Sequence, residues 1–396
     1  MDREAVLESM DVRIRDGLIA SIAPHSDNSS TPDDDVLDAT GKYLIPGLWD
    51  MHVHLSFWGE PVVEGGATWD TVADPNAYAD VLPRFVAFGV TTVRDMGGSL
   101  EEIDLWHERV LRGDRLGPTI YRCGPYVDGE KPNDKYRVFV HNEQEGRDTV
   151  EQLHAQGVDF IKIHTRVTPE AFRGIASESN ELGLSLSGHI PYGTRFETAV
   201  EVGMDIIDHT TSLLVSQKDD PLSNQVRDWR ESYNWYRSDD GRKWVERFAD
   251  QGGSLVTTLI TKDGHIERKT VFGKWHVSLT KQLHDQGVNI VAGTDTARRT
   301  SDIQAGSALH DELALLVECG LSEFEALQSA TVNAARMQGQ LESSASVQVG
   351  KVADLVLLNS NPLDDIASTR DIHAIILRGH LLHSSDLESW RSEPAK

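Results

Sequence analysis

The chain has 396 residues, of which 39% are hydrophobic and 26% charged, and carries a net charge of −25 from 63 acidic and 38 basic residues. That length is too great for one small domain and fits one large barrel plus a smaller domain, or two to three ordinary domains. The charge repels nucleic acid and anionic membranes, and the two cysteines, Cys123 and Cys319, exclude a disulfide framework and a cysteine-rich zinc site.

No apolar run reaches the ~18 residues that span a bilayer. The start, Met1-Asp2-Arg3-Glu4-Ala5, lacks an apolar secretory segment, so a cytoplasmic home is the default expectation. Lysine supplies only 12 of the 38 basic residues, which suits a salty habitat and makes any lysine on a predicted strand worth inspecting. Cys123 lies in an apolar run and reads as a small core residue.

Along the chain, residues 11–45 begin with strand-like runs at Asp11–Ile14 and Leu18–Ile22, followed by the turn-rich, acidic Ser26–Asp35. From there a βα rhythm sets in. Eight apolar strands are read at Trp49–Leu55, Val90–Met96, Pro118–Gly124, Phe160–His164, Leu184–His189, Asp205–Thr210, Ser254–Ile260 and Asn289–Asp295. Amphipathic stretches such as Glu143–Gly157 and Pro169–Gly183 separate them, each ending in the glycine that commonly stops a helix. Alternation of β and α over eight strands predicts an α/β fold, a parallel (β/α)8 TIM barrel over residues 46–340. From Val347 the tail returns to β character at residues 353–358 and 375–379. Residues 1–45 and 341–396 together are expected to build a small β-sandwich domain from both chain ends.

Three connections are long: 56–75, with Trp58, Glu60 and Asp70; 125–142, with Tyr126, Asp128 and Arg137; and 211–253, rich in Trp and Tyr. In a (β/α)8 barrel all three lie on the C-terminal face, where active sites are built. Long loops there shape substrate pockets or are ordinary decoration.

The ends of the strands carry the chemistry. His52 and His54 stand two apart on the first strand and therefore share a face, where two imidazoles can grip one metal ion. His189 ends the fifth strand, His209 the sixth and Asp295 the eighth, while Lys162 sits in the fourth between Ile161 and Ile163. Six ligand-type residues thus rise from five strands at the same end. A charged lysine is costly to bury among apolar neighbours. One reading pairs Lys162 with a carboxylate inside the barrel, such as Asp295. The other makes the neutral amine add carbon dioxide, giving an anionic carbamate that can bridge two metals.

This pattern resembles the amidohydrolase superfamily in its binuclear, carboxylated-lysine subtype. The resemblance covers nearly the whole chain: the entry Leu44-Ile45-Pro46-Gly47-Leu48-Trp49-Asp50-Met51-His52-Val53-His54, the run Gly89-Val90-Thr91-Thr92-Val93-Arg94-Asp95, the post-barrel segment 325–335, and the exit 349–358. Within the superfamily the chain is most similar to prolidase-like and Xaa-Arg/Lys dipeptidases and N-acyl amino acid hydrolases. The resemblance implies that His52, His54 and Asp295 hold one divalent metal and His189 and His209 a second. N6-carboxylysine at Lys162 and a hydroxide would bridge them, and Asp295 would shuttle the proton as catalytic base and acid. Zinc suits these ligands best, with manganese or cobalt as substitutes.

Weaker candidates surround this set. Tyr192 lies three residues after His189, displaced by one from the tyrosine that prolidase-like relatives use to steady the tetrahedral intermediate, and reads as that group or as loop packing. Those relatives also carry a histidine after the third strand; here His141, at the far end of that loop, can substitute or be solvated. Arg298 and Arg299 can clamp a substrate carboxylate or face solvent. His164 shares the face of Lys162 and can line the pocket, whereas Arg94-Asp95 reads as an ion pair within the barrel. Glu60 and Asp70 read as solvated.

The leading expectation is a binuclear metallohydrolase cutting the amide of a dipeptide or N-acyl amino acid, a small-molecule substrate, with a homo-oligomer left open. Alternatives are a lactone or ester hydrolase with the same centre, a cyclic-amide hydrolase or deaminase on the same fold, and a scaffold that has lost its metals. Deaminases of this kind usually place a glutamate where Tyr192 stands and lack the lysine ligand.

Overall fold

A computed structural model describes residues 4–26, 34–55, 61–62, 68–69, 81–129, 136–213, 229–261, 271–297 and 304–392. Its centre is a mixed α/β arrangement with a seven-stranded parallel sheet. In order across that sheet run Arg137–Phe139, Tyr126–Asp128, Ile161–Ile163, Leu186–Gly188, Ile206–Asp208, Ser254–Val256 and Asn289–Val291. A second parallel sheet orders Thr296–Ala297, Leu48–His54, Val90–Asp95 and Thr119–Arg122.

Each of the eight expected strands is present, the first shifted by one residue to Leu48–His54 and the others shorter. The third and eighth continue past a break into a second short strand of the other sheet: Thr119–Arg122 leads to Tyr126–Asp128, and Asn289–Val291 to Thr296–Ala297. The central strands are buried on both faces: Ile161–Ile163, Leu186–Gly188 and Ile206–Asp208 are buried throughout, including the polar Lys162, Ser187 and Asp208.

The helices begin and end where their caps dictate. Over Glu143–Ala155 the Asn142 side chain accepts the Glu145 N–H. Over Pro169–Leu182, Thr168 caps the start with Pro169 in the first turn, and Gly183 turns the chain out at φ 69°. The long 211–253 connection is not simply a loop: it contains helices Trp229–Arg237 and Asp239–Asp250. The 125–142 connection instead extends the large sheet through Arg137–Phe139. Among the described residues no helix is long and apolar enough to cross a membrane.

Both chain ends are β-rich, as expected. Met10–Arg15 and Leu18–Pro24 form an antiparallel hairpin. Tyr43–Pro46 pairs with Leu355–Leu358, which pairs with Ile372–Leu377 and through it with His380–His383. Ile19, Leu355 and Ile376 pack with Val12, Ile14 and Leu44 in a small apolar cluster between hairpin and sheet. Cys123 is buried beside Met96 and Phe160, a core residue as its sequence context indicated.

Candidate active site

In Leu48–His54 the alternation of side chains puts Asp50, His52 and His54 on one face. His52 Nε2 lies 3.4 Å from Asp295 Oδ1, and His54 Nε2 lies 3.1 Å from the same oxygen. One ligand atom from each of the three residues falls within 4.8 Å of the others. Asp50 fixes the turn that presents Asp295: its carboxylate accepts the Thr294 hydroxyl at 2.7 Å and the Thr294 N–H at 3.0 Å. The Asp295 N–H donates to the His52 carbonyl at 2.7 Å.

A row of imidazoles extends from this group. Ring centroids are 4.5 Å apart for His52 and His209, 4.7 Å for His209 and His189, and 4.4 Å for His189 and His164. His209 Nδ1 is 2.7 Å from the Thr258 hydroxyl, and His189 Nδ1 is 3.2 Å from that of Ser212. His209, Asp295 and Thr258 all adopt left-handed backbone, at φ 66°, 54° and 47°. Such strain in non-glycine residues, one of them β-branched, persists only where the surroundings over-determine it, and it concentrates at functional sites.

Burial holds His189 well below the ordinary imidazole range and pulls His209 down to about 3. These rings are therefore neutral, the form that donates a lone pair. Burial also lowers His54. Burial pulls His52 down as well, but the neighbouring Asp208 and Asp295 carboxylates, 3.6 and 3.4 Å away, outweigh it and leave His52 raised. Burial raises Asp295, yet the neighbouring His52 and His54 imidazoles hold its carboxyl well below the usual range.

Lys162 is 3% exposed and donates from Nζ to Asp208 Oδ2 at 2.7 Å. Its partner is thus Asp208, not Asp295. The strand register explains the difference. Lys162 lies beside Ser187 on the next strand and Ser187 beside Ile206 on the one after, so Asp208 projects into the same interior. Asp295 sits at the strand ends and is engaged by the two histidines. Ser187 Oγ donates to the same Asp208 oxygen at 3.0 Å and accepts from Arg94 Nη1 at 3.1 Å. Arg94 is fully buried with its guanidinium 3.5 Å over the Phe160 ring. The expected Arg94–Asp95 ion pair does not form, because consecutive strand residues face opposite ways; Asp95 instead accepts the Leu55 N–H at 2.7 Å.

Of the weaker candidates, His164 joins the imidazole row, and its Nδ1 lies 3.4 Å from Asp128. Tyr192 is half-buried in the turn after Leu186–Gly188, with its N–H on the Thr165 carbonyl at 2.7 Å. His141 is exposed just before the Glu143–Ala155 helix, its N–H bonded to Glu145, and does not join the row. Arg298, Arg299, Glu60 and Asp70 lie outside the described residues. Arg137 is a group the sequence reading did not single out as a ligand: it pairs with Asp128 and stacks 4.6 Å from the Tyr126 ring, itself 5.5 Å from His164. Asp208 was also missed, although a carboxylate beside Ile206 and Ile207 is the same anomaly that marks Lys162.

The residues fit a divalent metal. Both ring nitrogens of His52 and Oδ1 of Asp208 are buried with no hydrogen-bond partner, and imidazole nitrogen with carboxylate oxygen is a donor set for zinc and its neighbours. Comparison with known proteins agrees with this chemistry. Residues 271–382 match the amidohydrolase family. The chain carries an amidohydrolase family domain. The chain is 24% identical to a probable imidazolonepropionase of Homo sapiens, over 90% of this chain and 85% of that protein. It is also 24% identical to an ochratoxinase of Aspergillus niger, over 84% of this chain and 73% of that protein. Among solved structures, a putative prolidase from Bifidobacterium longum superposes with a TM-score of 0.70 at 25% identity, covering 95% of this chain and 91% of that one. These likenesses indicate a hydrolase acting on C–N bonds.

Proposed function

We propose that the chain is a binuclear metal-dependent amidohydrolase that cleaves the amide of a dipeptide or an N-acyl amino acid. The observation that carries this reading is the convergence of His52, His54 and Asp295 within 4.8 Å, continued by the His209 and His189 rings. His52, His54 and Asp295 would hold one metal, His189 and His209 a second, and carboxylated Lys162 would join them. Bound dications acidify water and polarise a carbonyl.

The side chains do the rest. The Asp295 carboxylate, at the strand ends, takes the proton released in the attack and returns it to the leaving amine. The half-buried Tyr192 hydroxyl stabilises charge on the carbonyl oxygen. His164, next to His189, lines the pocket, and Arg298 and Arg299 receive the substrate carboxylate.

The architecture behind this proposal is a (β/α)8 barrel over residues 46–340, with a small β domain from residues 1–45 and 341–396. It is supported by the way segments 119–128 and 289–297 each feed both parallel sheets, linking them on two sides. A second reading, hydrolysis of a cyclic amide, is favoured by the imidazolonepropionase relative. Tyr192 and Lys162 support the first.

The test is metal analysis combined with hydrolysis of a panel of dipeptides, N-acyl amino acids and cyclic amides. Two metals per chain with cleavage of the linear amides is the expected result. Fewer than two metals in fully loaded enzyme, without amidase activity, overturns it.

A further inference from the structure

Glu312 is a fully buried carboxylate on the Ser307–Glu318 helix, and among the described residues no cation lies within ion-pair distance of it. Its three hydrogen bonds all come from one turn. Oε1 accepts the Thr257 hydroxyl and the Leu259 N–H at 2.9 Å, and Oε2 accepts the Ile260 N–H at 2.8 Å. Those donors bracket Thr258, the β-branched residue held at φ 47°. The Thr258 hydroxyl is in turn 2.7 Å from His209 Nδ1.

A left-handed threonine relaxes unless its flanks are fixed, and here one carboxylate fixes both flanks. With Nδ1 engaged by the Thr258 hydroxyl, Nε2 is the nitrogen left to act as a ligand, and it carries the lone pair when the Nδ1–H donates to that hydroxyl. We propose that Glu312 is a positioning residue for His209, acting through the strained turn 257–260 to set the tautomer and aim of that imidazole. The proposal rests on the metal reading only for its second readout.

The experiment uses the full chain with Thr258→Val, Thr257→Val, Glu312→Gln and the double variant Thr258→Val/Glu312→Gln. The first readout is the His209 side-chain ¹⁵N resonances of metal-free protein, assigned by their loss in His209→Asn. A single tautomer is expected in the wild type and a mixture in each variant. The second is titration with Zn²⁺, where the second equivalent should bind about 10- to 100-fold more weakly in each variant. The double variant should be no weaker than Thr258→Val alone, since both act on one path.

A single unchanged tautomer, or unchanged binding of the second equivalent, in Thr258→Val or Thr257→Val overturns the proposal. Additive losses in the double variant do the same. Thr257→Val leaves Glu312 in place, so it decides the matter even if Glu312→Gln does not fold. Should the wild type bind fewer than two equivalents, the metal reading fails, and the metal-free tautomer still decides this one.

Discussion

Lys162 and Asp208 face each other at 2.7 Å in an interior that excludes water from both. In the metal-free protein each compensates the other, and removing one partner strands a buried charge. Lys162→Ala is therefore expected to destabilise metal-free protein by about 3–5 kcal/mol in urea unfolding, and to bind less metal. A loss below about 1 kcal/mol, the range of an exposed pair, would show that Asp208 finds another partner. Asp208 also explains what the sequence left hidden. A lysine in an apolar strand announces a special role, but which carboxylate answers it depends on strand register two strands away, and no local pattern encodes that.

At the scale of elements, two constraints can be tested. Gly188 ends the Leu186–Gly188 strand at φ 138°, and a Cβ there would stand 2.1 Å from the Ile163 carbonyl oxygen. Gly188→Ala must push apart the strands that carry Lys162 and His189. It is expected to lower the unfolding midpoint and cost most of the activity; wild-type values for both would refute the close approach. Glu312, on the helix after the eighth strand, gives a pH signature.

Burial pushes the Glu312 carboxyl up to about 7 from its ordinary 4.5. A carboxyl that holds its proton more tightly when folded favours folding at low pH. That contribution is complete below about 4.5 and fades as pH rises through about 7. Metal-free wild type should thus lose stability relative to Glu312→Gln as pH rises across this window, measured by urea unfolding at a series of pH values. A pH-independent difference contradicts the assignment. Glu312 had a sequence signal that went unread: it shares a helix face with buried Leu309, Leu313 and Leu316, where a charge is out of place. The helices after the sixth strand were masked by their Trp, Tyr and charged content, which reads as loop.

At the scale of the molecule, eight strands were legible because both-face burial writes them as short apolar runs, and their C-terminal ends showed His52, His54, His189, His209 and Asp295. What remained illegible was how residues far apart in sequence meet, as Thr258 meets His209. The net charge of −25 adds a global term, mutual repulsion that salt screens. The unfolding temperature is expected to rise with NaCl between low and molar concentrations, and a flat or falling profile would show that repulsion is already offset.

Metal stoichiometry decides whether Lys162 completes a two-metal centre. Metal-free protein reloaded with Zn²⁺ in ¹³C-bicarbonate should bind two equivalents and show a carbamate ¹³C signal, with both the signal and the second equivalent lost in Lys162→Ala. One equivalent or none in the wild type, or two equivalents bound equally well by Lys162→Ala, would contradict the account.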